Sequence, residues 1–187
     1  MLPDLRISVN VSARQLDDPT LADVVAAVLD ETALPASALM LEVTESVLMR
    51  DPQRAVQLLR PLKALGVRLA IDDFGTGYSS LASLQQFPAD QLKIDKAFID
   101  TIEDSAEGSA IVRTVVELAR TLHMQTVAEG IETHQQWVNL RELSCDLGQG
   151  YYFARPLAPE AIPAFFARPL AGVFVAGPAI TASARAS

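Results

Sequence analysis

The stretch LAIDDFGTGYSS (Leu69–Ser80) ends an apolar run with two adjacent aspartates, which a glycine-bracketed turn follows at once. Apolar runs of this kind are typical of buried strands, and buried strands do not normally end in paired carboxylates. The adjacent anions Asp72 and Asp73 repel each other and resist removal from water unless a positive charge lies beside them. The stretch therefore predicts a buried strand that delivers two acids to a cation.

The composition describes one acidic globular domain. The chain has 187 residues, 50% of them hydrophobic, and a net charge of −8 at pH 7. Its Lys and Arg residues are scattered, which argues against binding of duplex nucleic acid, so a phosphate ligand would need the charge of a metal ion. With a single cysteine, Cys145, no signal peptide and no membrane-spanning segment, we expect a cytoplasmic protein.

Short β-type runs alternate with amphipathic helical patterns along most of the chain. The runs cover residues 6–12, 39–45, 67–74, 90–99, 125–131 and 147–153. This alternation predicts parallel strands with helices packed outside them. Two architectures remain open at this point: an open doubly wound sheet, which six strands would complete, and a (β/α)8 barrel, which would be two strands short.

The polar residues at the ends of the runs distinguish the two architectures. They are Asn10, Glu42, Glu45, Asp72, Asp73, Lys93, Asp95, Glu129, Glu132 and Gln149. In a barrel all strand ends converge on one mouth, whereas in an open sheet only the ends near the reversal of strand order meet a ligand. We therefore predict an α/β fold, a partial TIM-type (β/α)8 barrel with about six of its eight strands.

Several of these side chains offer the oxygen ligands that hard divalent cations prefer. Mg²⁺ or Mn²⁺ fits this donor set better than zinc or copper, because the set contains no histidine or thiolate. A second metal ion beside the first would explain the adjacent aspartates, and sites with two neighbouring metal ions are known to hydrolyse phosphodiesters. Lys93 would then neutralise phosphate oxygens or orient the water, and Glu129 would be the general base. The candidate ligands are Asn10, Glu42, Asp72 and Asp73.

Each acid also has a simpler interpretation when it is considered alone. A single acid at a strand end is more often the N-cap of the next helix than a ligand. Glu45 would cap the helix that follows it, Asp95 would be an ordinary loop carboxylate, and the glycines after Phe74 would only form a turn. Compatible ligands at six strand ends favour a metal–phosphate site over six separate coincidences.

Six motifs closely resemble those of the EAL family of cyclic di-GMP phosphodiesterases. They are SVNVSARQL, LEVTES, IDDFGTGYSS, LKIDKAFI, VAEGIET and CDLGQGYYFARPL. The resemblance runs from about residue 2 to about residue 166. It implies a modified TIM barrel in bacterial signalling that binds two Mg²⁺ or Mn²⁺ ions and hydrolyses cyclic di-GMP to linear pGpG.

The resemblance also implies roles for the residues at the strand ends. The implied catalytic residues are Glu129 as the general base, Lys93 near the attacking water and Asp73 at the second ion. The implied metal ligands are Asn10, Glu42, Asp72 and Asp73. The predicted substrate-binding or supporting residues are Gln149, Glu45 as a brace for the loop after the aspartates, Glu132 and Asp95.

The sequence departs from the family pattern in one important respect. The Glu-Ala-Leu tripeptide that names the family is absent. We predict that residues 1–168 form an EAL domain without its first two strands, and that the Ala/Ser-rich tail, residues 169–187, is disordered. Three alternatives stay open: a phosphodiesterase with impaired activity, a binding or interaction module without turnover, and a non-functional fragment. We also expect a homodimer and, in the full-length protein, an upstream sensory or diguanylate-cyclase domain.

Overall fold

The structure is a computed structural model that describes residues 5–75, 77, 80–103 and 105–166. The predicted tail, residues 169–187, lies outside the described residues. Six parallel strands form one sheet in the order in which they occur along the chain. They are β1 (Ile7–Asn10), β2 (Leu39–Thr44), β3 (Arg68–Phe74), β4 (Gln91–Ile94), β5 (Gln125–Ala128) and β6 (Leu147–Gly148).

The strand order distinguishes the two predicted architectures. Each strand pairs in parallel with the next strand along the chain, and the order never reverses. A doubly wound sheet needs such a reversal. Because right-handed crossovers that always advance in one direction place their helices on one side, the sheet curls into half of a barrel. The predicted partial (β/α)8 barrel is confirmed.

Nine α-helices lie in the described residues, and side-chain caps begin most of the long ones. Asp51 accepts a hydrogen bond from the Arg54 N–H at the start of α4, and Thr133 forms a capping box with Gln136 at the start of α8. The helices are α1 (Ala13–Leu16), α2 (Leu21–Thr32), α3 (Glu45–Arg50), α4 (Pro52–Ala64), α5 (Leu81–Leu84), α6 (Lys96–Asp100), α7 (Ala106–Thr121), α8 (His134–Glu142) and α9 (Ile162–Phe166). No described helix is both long enough and apolar enough to span a membrane.

The two faces of the sheet have different chemistry. On β2 and β3, Leu41, Val43 and Ile71 belong to the hydrophobic core that the strands share with the helices. Because side chains alternate along a strand, Glu42 and Asp72 lie on the opposite face, the inside of the half-barrel. The central strands are buried, whereas Ile7 and Val9 of the edge strand β1 are 53% and 44% exposed.

Two aspartates tie the amino ends of the strands together. Asp90, immediately before β4, accepts a hydrogen bond of 2.8 Å from the N–H of Leu69 and also pairs with Lys63. Asp146, immediately before β6, accepts hydrogen bonds of 2.8 Å from both the N–H and the hydroxyl of Thr126. Each carboxylate therefore holds the second residue of an earlier strand.

Four strands are shorter than the sequence predicts by three residues or more. The run 125–131 gives a strand only as far as Ala128. The run 90–99 gives a strand only as far as Ile94, because the Asp95 carboxylate accepts the N–H of Ala97 and begins α6. The run 6–12 gives a strand only as far as Asn10, because Ser12 caps α1. The run 147–153 gives a strand of two residues that turns follow.

Candidate functional site

Three carboxylates converge on one buried ammonium group at the carboxyl ends of the strands. Lys93 on β4 places Nζ 2.5 Å from Glu42 Oε2, 2.8 Å from Asp72 Oδ1 and 2.9 Å from Glu129 Oε1. Its side chain is only 6% exposed. The acids come from β2, from β3 and from the residue directly after β5, so the curl of the sheet brings three segments to one point. We call these residues, together with Asp73, the acidic cluster.

A β-bulge brings the second aspartate into the acidic cluster. Between the pairs Ile71–Leu92 and Phe74–Ile94, β3 contains one residue more than β4. Adjacent residues of a regular strand point to opposite faces, and an extra residue removes this alternation. The unusual backbone conformation of the bulge lies at Asp73, whose φ of +53° is in the left-handed region. Aspartate tolerates this region better than most residues. The carboxylate oxygens of Asp72, Asp73 and Glu129 can consequently all lie within 4.8 Å of one another.

The lysine of the cluster is held firmly in its charged form. Burial on its own disfavours the Lys93 ammonium, but the hydrogen bonds with Asp72, Glu42 and Glu129 outweigh burial and raise the pKa of Lys93. Its positive charge is therefore a fixed part of the site across the physiological pH range.

The acids of the cluster outnumber that single positive charge. Burial is the largest cause that raises the pKa of Asp73, and the nearby charges of Asp72 and Asp95 add to it. Burial also raises the pKa of Glu129, against the lowering effect of Lys93 and together with the charges of neighbouring acids. A divalent cation would relieve this excess of negative charge.

The donor set of the acidic cluster fits a hard divalent cation. Its ligand atoms are carboxylate oxygens, and neither histidine nor cysteine joins them among the residues that the structure describes. Mg²⁺, Mn²⁺ and Ca²⁺ prefer such oxygens, whereas zinc and copper prefer nitrogen or sulfur. The acidic cluster can therefore bind a metal ion.

Glu45 links the cluster region to the loop that follows the paired aspartates. It is fully buried as the first residue of α3, and its Oε2 accepts a hydrogen bond of 2.7 Å from the N–H of Gly75. A side-chain carbon added at Gly77 would lie 3.2 Å from the other oxygen, Oε1. Glu45 therefore takes part in the start of a helix and also contacts this loop.

The remaining predicted residues lie around the cluster or away from it. Asp95 caps α6, and its charge is one of the causes that raise the pKa of Asp73. Glu132 is exposed and pairs with Lys96 at 2.8 Å instead of Lys93. Asn10 and Gln149 are exposed at the two edges of the sheet, and within the described residues no hydrogen bond joins their side chains to the cluster.

The fold and the site define a class of protein: a half-barrel of parallel strands whose mouth carries an acidic cluster suited to a metal ion. Sequence comparison then gives the family. The sequence profile of the EAL domain matches residues 1–156. The chain therefore belongs to the EAL domain family, as its motifs indicate.

Relatives with this domain are much longer than the chain. The sequence is 47% identical over 161 residues to the cyclic di-GMP phosphodiesterase NbdA of Pseudomonas aeruginosa, covering 86% of this chain and 21% of NbdA. The chain thus spans about a fifth of that relative.

Solved structures of other members share the fold. A complex of the PaMucR phosphodiesterase with c-di-GMP is 44% identical, with a TM-score of 0.81 over 84% of this chain and 64% of that one. A manganese and c-di-GMP complex of Klebsiella pneumoniae BlrP1 is 32% identical, with a TM-score of 0.77 over 83% of this chain and 40% of that one.

Proposed function

We propose that the chain is a metal-dependent cyclic di-GMP phosphodiesterase domain that hydrolyses cyclic di-GMP to linear pGpG. The observation that carries the proposal is the convergence of Glu42, Asp72 and Glu129 on the buried Lys93, with Asp73 added by the bulge. Family membership supports it, since NbdA is named as a phosphodiesterase for this substrate and the PaMucR complex contains it.

We propose two Mg²⁺ or Mn²⁺ ions as the cofactor of this site. Glu42, Asp72 and Asp73 would hold them with Asn10, whose Cα is the register partner of Glu42 on the neighbouring strand. The manganese in the related BlrP1 complex and the oxygen donor set support this assignment. When bound, the ions would supply Lewis-acid activation of a water and neutralise charge on the phosphate.

The residues of the chain would do the rest of the chemistry. Lys93, held in its charged form, would place a fixed positive charge beside a phosphate oxygen, where it stabilises the charge that develops during hydrolysis. Glu129 would accept the proton of the attacking water on its carboxylate, because a raised pKa brings a carboxylate closer to a useful general base. Gln149, at the end of β6, would contact the substrate from the open edge.

The wider setting of the domain is part of the same proposal. MucR of Pseudomonas aeruginosa is named as a bifunctional diguanylate cyclase and phosphodiesterase, and this chain covers only 23% of it. By this analogy, we propose that the full-length protein carries an upstream regulatory domain. We also propose a homodimer in the cytoplasm.

The decisive experiment is incubation of the full chain with cyclic di-GMP and Mn²⁺, followed by chromatography of the products. We expect pGpG to form, to disappear on addition of a chelator, and to disappear in Glu129→Gln. Turnover should be slow compared with NbdA, because the sequence lacks the Glu-Ala-Leu tripeptide. Binding of cyclic di-GMP without pGpG would favour the binding-module alternative, and the absence of both would contradict the proposal.

A further inference from the structure

The short helix α6 contacts the chain on both sides of the acidic cluster. It begins three residues after Lys93, and the ring of Phe98 lies against Gly75, just beyond the end of β3. A side-chain carbon added at Gly75 would lie 2.5 Å from Phe98 Cε2. Lys96, at the start of the same helix, lies against Gly130, the residue directly after Glu129. One helix therefore touches the segments that follow two of the acids.

Three carbons of the Lys96 stem lie close to Gly130. A side-chain carbon added at Gly130 would lie between 2.5 and 2.8 Å from Cγ, Cδ and Cβ of Lys96. Gly130 also has a φ of +70°, in the left-handed region that favours glycine. Both the backbone conformation and the lack of space therefore require a residue without a side chain. In addition, the N–H of Glu129 donates to the carbonyl of Ile94 at 3.1 Å. The backbone of Glu129 and the residue after it are thus both held by segment 94–96.

The ammonium group of Lys96 forms ion pairs with two carboxylates. Nζ lies 2.8 Å from Glu132 Oε1 and 2.9 Å from Asp100 Oδ1. The side chain is 45% exposed, and ion pairs with that exposure contribute little to global stability. Their effect here is local, because the stem and the ammonium group together contact residues 130 and 132 and restrain the segment that carries Glu129.

We propose that Lys96 is a positioning residue for Glu129: it fixes segment 129–132 through its stem on Gly130 and its ion pair with Glu132. The inference rests on the proposed function, in which Glu129 is the general base. It also gives Glu132 a place in the site although its carboxylate lies outside the acidic cluster. The motif LKIDKAFI therefore carries two lysines with separate tasks, Lys93 inside the cluster and Lys96 beside it.

The test compares three substitutions of Lys96 in the full chain. Lys96→Ala removes the stem and the charge, Lys96→Met keeps the stem, and Lys96→Arg keeps both. The control is Arg54→Ala, which breaks a comparably exposed ion pair of 3.0 Å between Arg54 on α4 and Asp17, the residue after α1. The measurements are amide hydrogen exchange at residues 129–132 by NMR, and kcat and KM for cyclic di-GMP with Mn²⁺.

We expect Lys96→Ala to exchange about tenfold faster at residues 129–132 and to lose about tenfold in kcat at constant KM, because small displacements of a catalytic group are costly. Lys96→Met should lose less, and Lys96→Arg should be close to the wild type. The Arg54→Ala control should change neither quantity. If Lys96→Ala does not fold, Lys96→Met and Lys96→Arg are compared instead. We then expect faster exchange at residues 129–132 and a lower kcat in Lys96→Met than in Lys96→Arg.

Two results would overturn the inference: unchanged exchange in segment 129–132, or a change in KM while kcat is retained. Absence of any cleavage by the wild-type chain would instead overturn the proposed function. In that case the exchange measurement still decides whether Lys96 restrains the segment, so the two failures can be told apart.

Discussion

Carboxylates occupy both ends of the sheet, but they are held in different ways. At the amino ends, Asp90 and Asp146 each accept a backbone N–H from an earlier strand together with a side-chain donor. At the carboxyl ends, Glu42, Asp72 and Glu129 share the single ammonium group of Lys93. Each acid of the first group is held by at least two donors of its own, whereas the second group has more anions than cations.

The difference shows which chemistry each end can support. A carboxylate whose oxygens are occupied by backbone donors stabilises the chain and has little left for a ligand. In the acidic cluster, burial and the charges of neighbouring acids raise the pKa values of Asp73 and Glu129, so an added cation would relieve the excess of negative charge there. The carboxylates at the amino ends should therefore contribute to stability alone, whereas those at the carboxyl ends should also take part in metal binding.

The largest expected effect is that of removing the shared ammonium group. Lys93→Met leaves buried carboxylates without a partner, so the metal-free chain should lose about 3–5 kcal/mol of unfolding free energy at neutral pH. Mn²⁺ should then raise the melting temperature of the variant more than that of the wild type. Lys63→Met, at the more exposed amino-end pair, is the control and should cost less. A metal-free Lys93→Met as stable as the wild type would contradict the description of the cluster.

A smaller effect should follow from changing one acid of the cluster. Asp72→Asn should weaken Mn²⁺ binding about 10–100-fold in calorimetric titrations, since even supporting groups of metal sites contribute that much. Its stability should change little, because Lys93 keeps two other partners. Asp90→Asn, at the opposite end, should bind Mn²⁺ as the wild type does. Unchanged Mn²⁺ affinity in both Asp72→Asn and Glu42→Gln would refute the ligand assignment.

The reverse pattern should appear at the amino ends. Asp146→Ala leaves the N–H of Thr126 without its acceptor, so we expect a loss of about 1–2 kcal/mol in chemical denaturation. Mn²⁺ affinity should stay at the wild-type value. Asp146→Asn, which keeps one acceptor oxygen, should lose less stability. A fall in Mn²⁺ affinity without a fall in stability would remove the distinction between the two ends.

The smallest expected effect is the dependence of the cluster on pH. The pKa values of Asp73 and Glu129 are raised above their ordinary values of 3.8 and 4.5, so the folded chain holds these protons more tightly than the unfolded chain. Their contribution to the stability of the metal-free chain therefore falls as pH rises above that range.

Protons and a metal ion compete for the carboxylate of Asp73, a proposed ligand, so Mn²⁺ affinity should increase as pH rises above the ordinary pKa of that group. Calorimetric titrations at a series of pH values above 3.8 measure this increase, which should flatten in Asp73→Asn. Mn²⁺ affinity that does not change with pH would show that Asp73 does not bind the metal ion.

Much of the fold can be predicted from the sequence, because buried parallel strands leave apolar runs that end in polar residues. The convergence of those ends follows from the parallel direction of the strands, so the sequence predicts that Glu42, Asp72 and Lys93 lie close together, as they do in the structure. Which side chains meet depends on position within the sheet: Asn10 ends one edge strand and Gln149 follows the other, and both are exposed in the part of the chain that the structure describes.

Other features depend on contacts that a pattern of hydrophobicity does not contain. The end of β4 was predicted too late because the hydrogen bond from the N–H of Ala97 to Asp95 competes with extended structure. The restraint of Gly130 by Lys96 joins residues far apart in sequence. Similarly, Asp90 and Asp146 show their function only once the neighbouring strand is in place.

The bulge in β3 makes the site depend on the number of residues as well as on their identity. Deletion of one residue between Ile71 and Phe74 would restore the regular alternation of the strand. Because only Asp72 and Asp73 lie between those two residues, the deletion would remove one of them, and the aspartate that remained would face the inside of the half-barrel with Lys93. The acidic cluster would thus lose a carboxylate that no rearrangement of the strand could replace. A point substitution in this segment preserves the number of residues and therefore the bulge. Among related chains, the identities of these residues should consequently vary far more readily than the length of the segment.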